Sequence, residues 1–239
     1  MPQFERVPAE VIERLKEVST ATAAGILLKM GIRNTFMEGV YPLCPEQPLA
    51  GQAFTLRYLP KREDIDEARG ASPRPQRQAI EGVGPGDVLV VEARGHLGCA
   101  TAGDILLSRV KFRGAAGYVT DGTMRDTPYI KTMAFPIYVG GANGQPSTRD
   151  LTDIGVNEPI ACGGVAVLPG DVILGDGEGV VVIPLKYARK LADEGWERER
   201  LEVFIRDQVD KGASTYEAYP PNEEYLRRYQ EWLKTQARS

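Results

Sequence analysis

Two carboxylates and a guanidinium stand at a spacing that can do chemistry. In GDILLSRVKFRGAAGYVTDGTMRD, residues 103–126, Asp104 opens a helix-like stretch and the pair Arg125, Asp126 closes the segment on a loop. Twenty residues separate Asp104 from Arg125, room for one helix, a turn and a short apolar strand. In a parallel β-α-β unit the strand C-termini line up along one edge of the sheet, so the start of the helix and the loop after the next strand come together. The pattern therefore predicts Asp104, Arg125 and Asp126 around one crevice. Just ahead of them, Gly98, Ala100, Ala102 and Gly103 keep the side chains small where a strand hands over to a helix. The first N–H groups of that helix are then free to bind an anion such as a carboxylate or phosphate; the same small residues also serve close strand–helix packing. Asp121 and Gly122, in the intervening TDGTMRD, read as turn chemistry.

The residue inventory narrows what that crevice can do. With a single histidine, His96, the chain cannot build an H-E-x-x-H zinc site or a two-histidine iron site. His96 reads as a hydrogen-bonding surface residue, with local acid–base work as the alternative. There is no G-x-S-x-G elbow and no G-x-x-x-x-G-K-[ST] loop. Catalysis must lean on carboxylates, arginine, lysine and backbone amides, with a hard metal as an option. Lys111, on the helix after Asp104, reads as solvent-facing rather than as a Schiff base.

A formal charge of −4 argues against a nucleic-acid binder. Cys44, Cys99 and Cys162 are widely spaced and odd in number, which indicates neither a disulfide framework nor a zinc ribbon and fits a reducing compartment. MPQFERVPAEVIERLKEV carries acids and no long apolar run, and no stretch of about 18 apolar residues occurs. The expectation is a soluble, cytoplasmic protein.

The elements that would position the charged residues follow from periodicity. Residues 8–18 carry Val11, Ile12, Leu15 and Val18 at helical spacing; Ser19 and Thr20 cap a second helix ending at Gly31. Residues 48–60 alternate as a strand. The polar, Pro-containing residues 58–77 hold Lys61, Arg62, Arg69, Arg74 and Arg77, and read either as a solvated loop or as a mobile basic flap over an anionic ligand. Strands are expected at 85–93, 115–120 and 135–139, with helices at 105–112 and 128–133, a β-α-β-α-β run that suggests a parallel sheet. From residue 158 short strands and Gly-rich turns suggest hairpins. A charged helix runs over 185–211, and Tyr219, Tyr225, Tyr229 and Trp232 mark an arm expected to pack on a neighbouring surface. No linker divides the chain, so residues 1–239 read as one α/β domain.

Asp104, then twenty residues, then Arg125-Asp126 resembles the D-x(20)-R-D signature of the RraA-like family, which includes the divalent-metal-dependent 4-hydroxy-4-methyl-2-oxoglutarate aldolases, also described as 4-carboxy-4-hydroxy-2-oxoadipate aldolases. The texture of FPIYV and CGGVAVLPGDVILGDGEGVVVIP agrees, and the resemblance covers residues 18–212. It implies a three-layer β/β/α swivelling-domain fold, here with helical N- and C-terminal extensions and an arm over 213–239. It also implies trimers or hexamers with sites between subunits. By carry-over, Asp126 binds Mg²⁺ or Mn²⁺, Arg125 holds the keto or carboxylate oxygen of a 2-oxo acid, and the backbone at Gly103, Asp104, Ile105 and Leu106 receives the carboxylate. Asp104 orients a water of the metal's shell for proton transfer, and a carboxylate from the neighbouring subunit, Glu199 or Glu202, completes the set.

The implied activity is retro-aldol cleavage of a 4-hydroxy-2-oxo acid to pyruvate, with oxaloacetate decarboxylation through the same enolate. The implied partners are that small anionic substrate and further copies of the chain, with no nucleic acid and no membrane. The family also contains inhibitors of the endoribonuclease RNase E, so a protein-binding regulator is the alternative. The label menaquinone methyltransferase has no support from a glycine-rich S-adenosylmethionine loop. Tyr129 stands where many members carry an acid.

Overall fold

The structure is a computed structural model that describes residues 4–70 and 72–236. The chain opens with α1 (Ala9–Leu15) and α2 (Thr20–Lys29), the latter capped as expected by Ser19, whose hydroxyl accepts the Thr22 N–H at 3.1 Å. After β1 (Tyr41–Pro42) and β2 (Leu49–Pro60) come α3 (Glu63–Arg69) and α4 (Pro75–Gly82). Next are β3 (Asp87–Glu92), β4 (Ala100–Ala102), α5 (Asp104–Phe112), β5 (Gly117–Met124), α6 (Thr127–Ile130) and β6 (Ile137–Ala142). The strands β7 (Leu151–Val156), β8 (Ile160–Cys162), β9 (Val165–Val167), β10 (Val172–Gly175) and β11 (Val180–Ile183) follow. Three helices end the chain: α7 (Ala188–Asp210), α8 (Thr215–Ala218) and α9 (Glu223–Gln236).

One mixed sheet runs in the order β1-β6-β5-β3-β2-β10-β11, with β4 beside β5 and β7 beside β2; β8 and β9 form a separate hairpin. The expected parallel run is present, since β2–β3, β3–β5 and β5–β6 all pair in parallel. Successive side chains of a strand point to opposite faces, and here that alternation sorts the core into layers. Leu49, Ala53, Val88, Val90, Val119, Tyr138, Ile173, Val180 and Val182 face the hairpin residues Ile160, Cys162, Val165 and Val167. Their neighbours Phe54, Leu56, Leu89, Val91, Tyr118, Ile137 and Val139 face Ala79 and Ile80 of α4, Leu107 and Val110 of α5, and Ile130 of α6. At the far end of that second face, Ala50, Val172, Leu174, Val181 and Ile183 pack on α1, α2 and the first half of α7. The layers are therefore hairpin, sheet and helices, the β/β/α arrangement that the family resemblance implies. Each fully buried aliphatic contributes about 1.5–3 kcal/mol, so the doubly covered strands β3 and β5 anchor everything that projects from their ends.

Two expectations are corrected. The polar segment 58–77 is not one long loop or flap: its first residues finish β2, Glu63–Arg69 forms α3, and α4 begins at Pro75. Two of its arginines turn inward: Arg69 and Arg74 donate to Asp153 Oδ1 on β7 at 3.0 and 3.1 Å, and the Gln76 N–H donates to Asp153 Oδ2 at 2.8 Å. The C-terminal aromatics pack on their own chain. Tyr225 and Tyr229 are buried with Phe204 and Ile205 of α7, and Trp232 stacks near Tyr229 at a ring separation of 6.0 Å; Tyr219 alone of the four is largely exposed. Among the described residues no helix is long and apolar enough to cross a membrane.

Candidate active site

Strands β4 and β5 run parallel, and their ends carry the site. The Arg125 N–H donates to the Ala102 carbonyl at 3.2 Å, tying the end of β5 to the residue before Gly103. Asp126 then turns into the left-handed region (φ 59°, ψ 28°), which aspartate tolerates better than most residues. Its carbonyl accepts the N–H groups of Tyr129 and Ile130, each at 3.1 Å, and so starts α6. The turn brings Asp126 Oδ2 to 3.2 Å from Arg125 Nε, with both side chains roughly half exposed. These two side chains lie over Gly103. A Cβ there would overlap Asp126 Oδ2 and stand 2.8 Å from Arg125 Nε, so alanine would displace these two half-exposed side chains while the extended backbone would accept it.

Asp104 is the first residue of α5, and its Oδ1 accepts the Ile105 N–H at 2.7 Å. The Leu107 N–H bonds to the Gly103 carbonyl. Among the described residues no hydrogen bond engages the N–H groups of Asp104 or Leu106, so two donors of the first turn stand open. The helix dipole adds positive potential at the same end.

A cavity of about 180 Å³ lies against this turn. It is lined by residues 100–106, Arg125, Gln76 and residues 146–148. That volume is below the roughly 300 Å³ typical of drug-sized ligands and suits a small acid. Of the three residues expected around one crevice, Asp104 and Arg125 line this cavity, while Asp126 does not and stands over Gly103. Gln76 and residues 146–148 were missed by the sequence reading. Gln76 Nε2 donates to the Thr101 carbonyl at 2.7 Å, and Pro146 bridges Ala100; no local pattern signals either contact. Tyr129 is exposed on α6.

Neither Glu199 nor Glu202 lines the cavity. Glu199 accepts the Ser19 N–H at 2.9 Å and the Ser19 hydroxyl at 2.7 Å, holding α7 to the cap of α2. Burial alone would raise its carboxyl, but hydrogen bonds from Thr22 and Ser19 bring it below the usual range. Glu202 pairs with Arg198 at 3.0 Å.

Asp121 is not turn chemistry. It lies within β5 at a register shift between Thr120 and Thr123, and its buried carboxylate accepts the N–H groups of Ala93 at 2.6 Å and Gly95 at 2.9 Å. Burial pushes its carboxyl up, with those amides pulling the other way. Asp121 and Glu92, whose carboxyl is also raised by burial, border a second cavity of about 560 Å³ beside the β8–β9 hairpin. His96 is half exposed, with Nε2 3.0 Å from Asp150 Oδ2.

A model of the RraA-like family (Aldolase/RraA) matches residues 11–182, and the chain belongs to that family. A Halalkalibacterium halodurans protein named "Putative 4-hydroxy-4-methyl-2-oxoglutarate aldolase" is 42% identical over 137 residues, or 57% of this chain. The chain spans 60% of that relative's length, and 33% of the length of the 24% identical Protein DlpA of Legionella pneumophila. Among solved structures, Streptomyces coelicolor RraAS2, described as an unusual member of the RNase ES inhibitor RraA protein family, is 35% identical and superposes with a TM-score of 0.77, covering 85% of this chain and 99% of its own. An uncharacterized protein from Pseudomonas syringae shares the fold at 24% identity and a TM-score of 0.77, covering 90% of this chain and 99% of its own.

Proposed function

We propose that this chain is a divalent-metal-dependent lyase that cleaves a 4-hydroxy-2-oxo acid to pyruvate, and that it decarboxylates oxaloacetate at the same site. The observation that carries the reading is the convergence of Arg125, Asp126 and the open first turn of α5 over Gly103, beside a cavity sized for a small acid. The aldolase name of the 42% identical relative supports it.

The donor set fits a hard cation. Asp126 Oδ2 takes the hydrogen bond from Arg125, while Oδ1 has no protein partner among the described residues. One half-exposed carboxylate oxygen suits Mg²⁺ or Mn²⁺, which keep much of their water shell. Asp126 would hold the ion, which when bound supplies Lewis-acid stabilisation of negative charge on the substrate.

The remaining work falls to the chain. The N–H groups of Asp104 and Leu106 receive the substrate carboxylate at the positive end of α5. Arg125 donates to the 2-oxo oxygen, where charge accumulates as the C3–C4 bond breaks and its electron pair enters the pyruvate enolate. The 4-hydroxyl loses its proton as the carbonyl product forms, and C3 gains one as the enolate collapses. Asp104, with Oδ1 held by the Ile105 N–H, keeps Oδ2 for that proton traffic, by way of water. Loss of CO₂ from oxaloacetate leaves the same enolate, so Arg125 serves both reactions.

The chain would act as a single domain in a trimer or hexamer in the cytoplasm, a setting that suits three free cysteines. Glu199 or Glu202 would then exchange its partner within the chain for a role at a neighbour's site. A second reading, a protein-binding regulator of RNase E-type enzymes, is favoured by the match to RraAS2.

Pyruvate release from a panel of 4-hydroxy-2-oxo acids and from oxaloacetate, after stripping and restoring the metal, separates the two. Activity should vanish with chelator, return with Mg²⁺ or Mn²⁺, and be absent from Asp126→Ala. No turnover of any panel member by the intact protein would move the assignment to the regulator.

A further inference from the structure

Next in sequence to residues that line the small cavity, one nitrogen, one sulfur and one oxygen donor come together. His96 and Cys99 lie in the loop before β4, at an H-x-x-C spacing, and Asp150 ends the short 3-10 turn Ser147–Arg149. Their ligand atoms all fall within 4.8 Å of one another. Gly98 makes the approach possible: a Cβ there would stand 2.7 Å from His96 Nε2 and 3.0 Å from Asp150 Oδ2. The Cys99 side chain is fully buried, its thiol 3.8 Å from the Ser147 carbonyl and within reach of the Asp150 backbone. The side chains of His96 and Asp150 are partly exposed, which leaves an entry path. Asp150 is held in place by the Lys61 N–H on its carbonyl at 2.8 Å and by Arg149 at 3.4 Å.

We propose that His96, Cys99 and Asp150 form a binding site for a borderline-soft divalent cation of the zinc class, separate from the hard-cation site at Asp126. A thiolate, an imidazole and a carboxylate match the donors that zinc takes, at about 2.0–2.3 Å from the ion. Tetrahedral geometry then sets the donors about 3.5 Å apart, a spacing the cluster reaches by adjustments of the order of an ångström. A thiolate and a carboxylate neutralise the ion's two charges. Three protein ligands leave the fourth position to water. Thiolate ligation also selects against Mg²⁺ and Mn²⁺, so the two sites sort metals by donor hardness. The bound ion would clamp the 96–99 loop to residues 147–150, and Ala100 and Ser147 carry that clamp into the lining of the small cavity.

Cobalt(II) titration of the intact protein, with absorption as the readout, is a direct test because a thiolate ligand gives a charge-transfer band in the near ultraviolet. One equivalent per chain should produce the band together with visible tetrahedral transitions, and zinc should displace both. Cys99→Ser should abolish the band, and His96→Gln should weaken binding at least about 10–100-fold, the loss caused by removing even an outer partner of a metal ligand. Asp126→Ala and Cys44→Ser should retain it. No charge-transfer band in the unaltered protein overturns the proposal, as does a band that survives Cys99→Ser or disappears with Cys44→Ser. If Cys99→Ser does not fold, the partly exposed His96→Gln decides: undiminished cobalt affinity in that variant rejects the site.

Discussion

Arg125 and Asp126 occupy the space that a side chain at position 103 would take, which makes Gly103→Ala the sharpest single test of the site. Its backbone is extended (φ −134°, ψ −174°), so alanine fits the main chain and removes unfolded-state freedom worth about 0.4–1 kcal/mol. The variant should keep or slightly raise its melting temperature while losing pyruvate-forming activity; unchanged kcat/KM would show that the two side chains need not sit where they do. Asp104→Asn preserves shape but not proton handling, and should cost on the order of 10²-fold in kcat with pyruvate affinity retained. Arg125→Lys should also fail in the same assay, because a point ammonium cannot reproduce the planar fork. Much of this was legible in the sequence, since D-x(20)-R-D fixes a strand-helix-strand span whose ends must meet. Asp121 was not. Asp-Gly is a turn signature, yet β5 passes through it on an irregular register, and only the tertiary partners Ala93 and Gly95 reveal a buried anchor.

Helices α3 and α4 were hidden by their length. At seven and eight residues they are too short to show a period, and Pro and Gly around them read as loop punctuation. What holds them is an ion-pair cluster with a partner some eighty residues away. Asp153 is 1% exposed and takes Arg69, Arg74 and the Gln76 N–H. Asp153→Ala should destabilise the fold by about 1–3 kcal/mol, because Arg69, Arg74 and the Gln76 N–H lose a buried acceptor while Asp66 still balances part of the arginine charge; a denaturant midpoint within error of the parent would refute that. The pH dependence has a definite sign. Burial would raise the Asp153 carboxyl, but the Gln76 N–H and Arg74 hold it below the usual range. Its contribution is thus full above the ordinary carboxylate pKa and lost as pH falls through the lowered one. Asp121, raised by burial, works oppositely: its contribution is full below the ordinary value and lost as pH rises through the raised one. Acid titration of stability should therefore be flatter in Asp153→Asn than in the parent. By contrast the long strand β2 and the α2 cap were readable, because alternation and a serine before an apolar run are local signals.

At the scale of the whole molecule, two kinds of information lie beyond any local pattern: how subunits meet, and how separate cores divide the chain. If sites are shared between protomers, mixing inactive Asp126→Ala subunits with inactive Glu202→Ala or Glu199→Ala subunits should restore part of the activity after exchange. Verified exchange without recovery would reject the cross-subunit carboxylate. The division of cores follows from α7. Its first half gives Leu191 and Ala192 to the layer under β10 and β11, while its second half gives Phe204 and Ile205 to a separate cluster with Tyr225 and Tyr229 of α9. A single 23-residue helix is thereby a member of two cooperative units of unequal depth. Under native conditions its amides should exchange with deuterium at two rates: those near Leu191 as slowly as β3 and β5, those near Ile205 in step with α9, through partial openings that leave the sheet intact. The boundary between fast and slow amides would fall inside one continuous helix, with no break in its backbone to announce it.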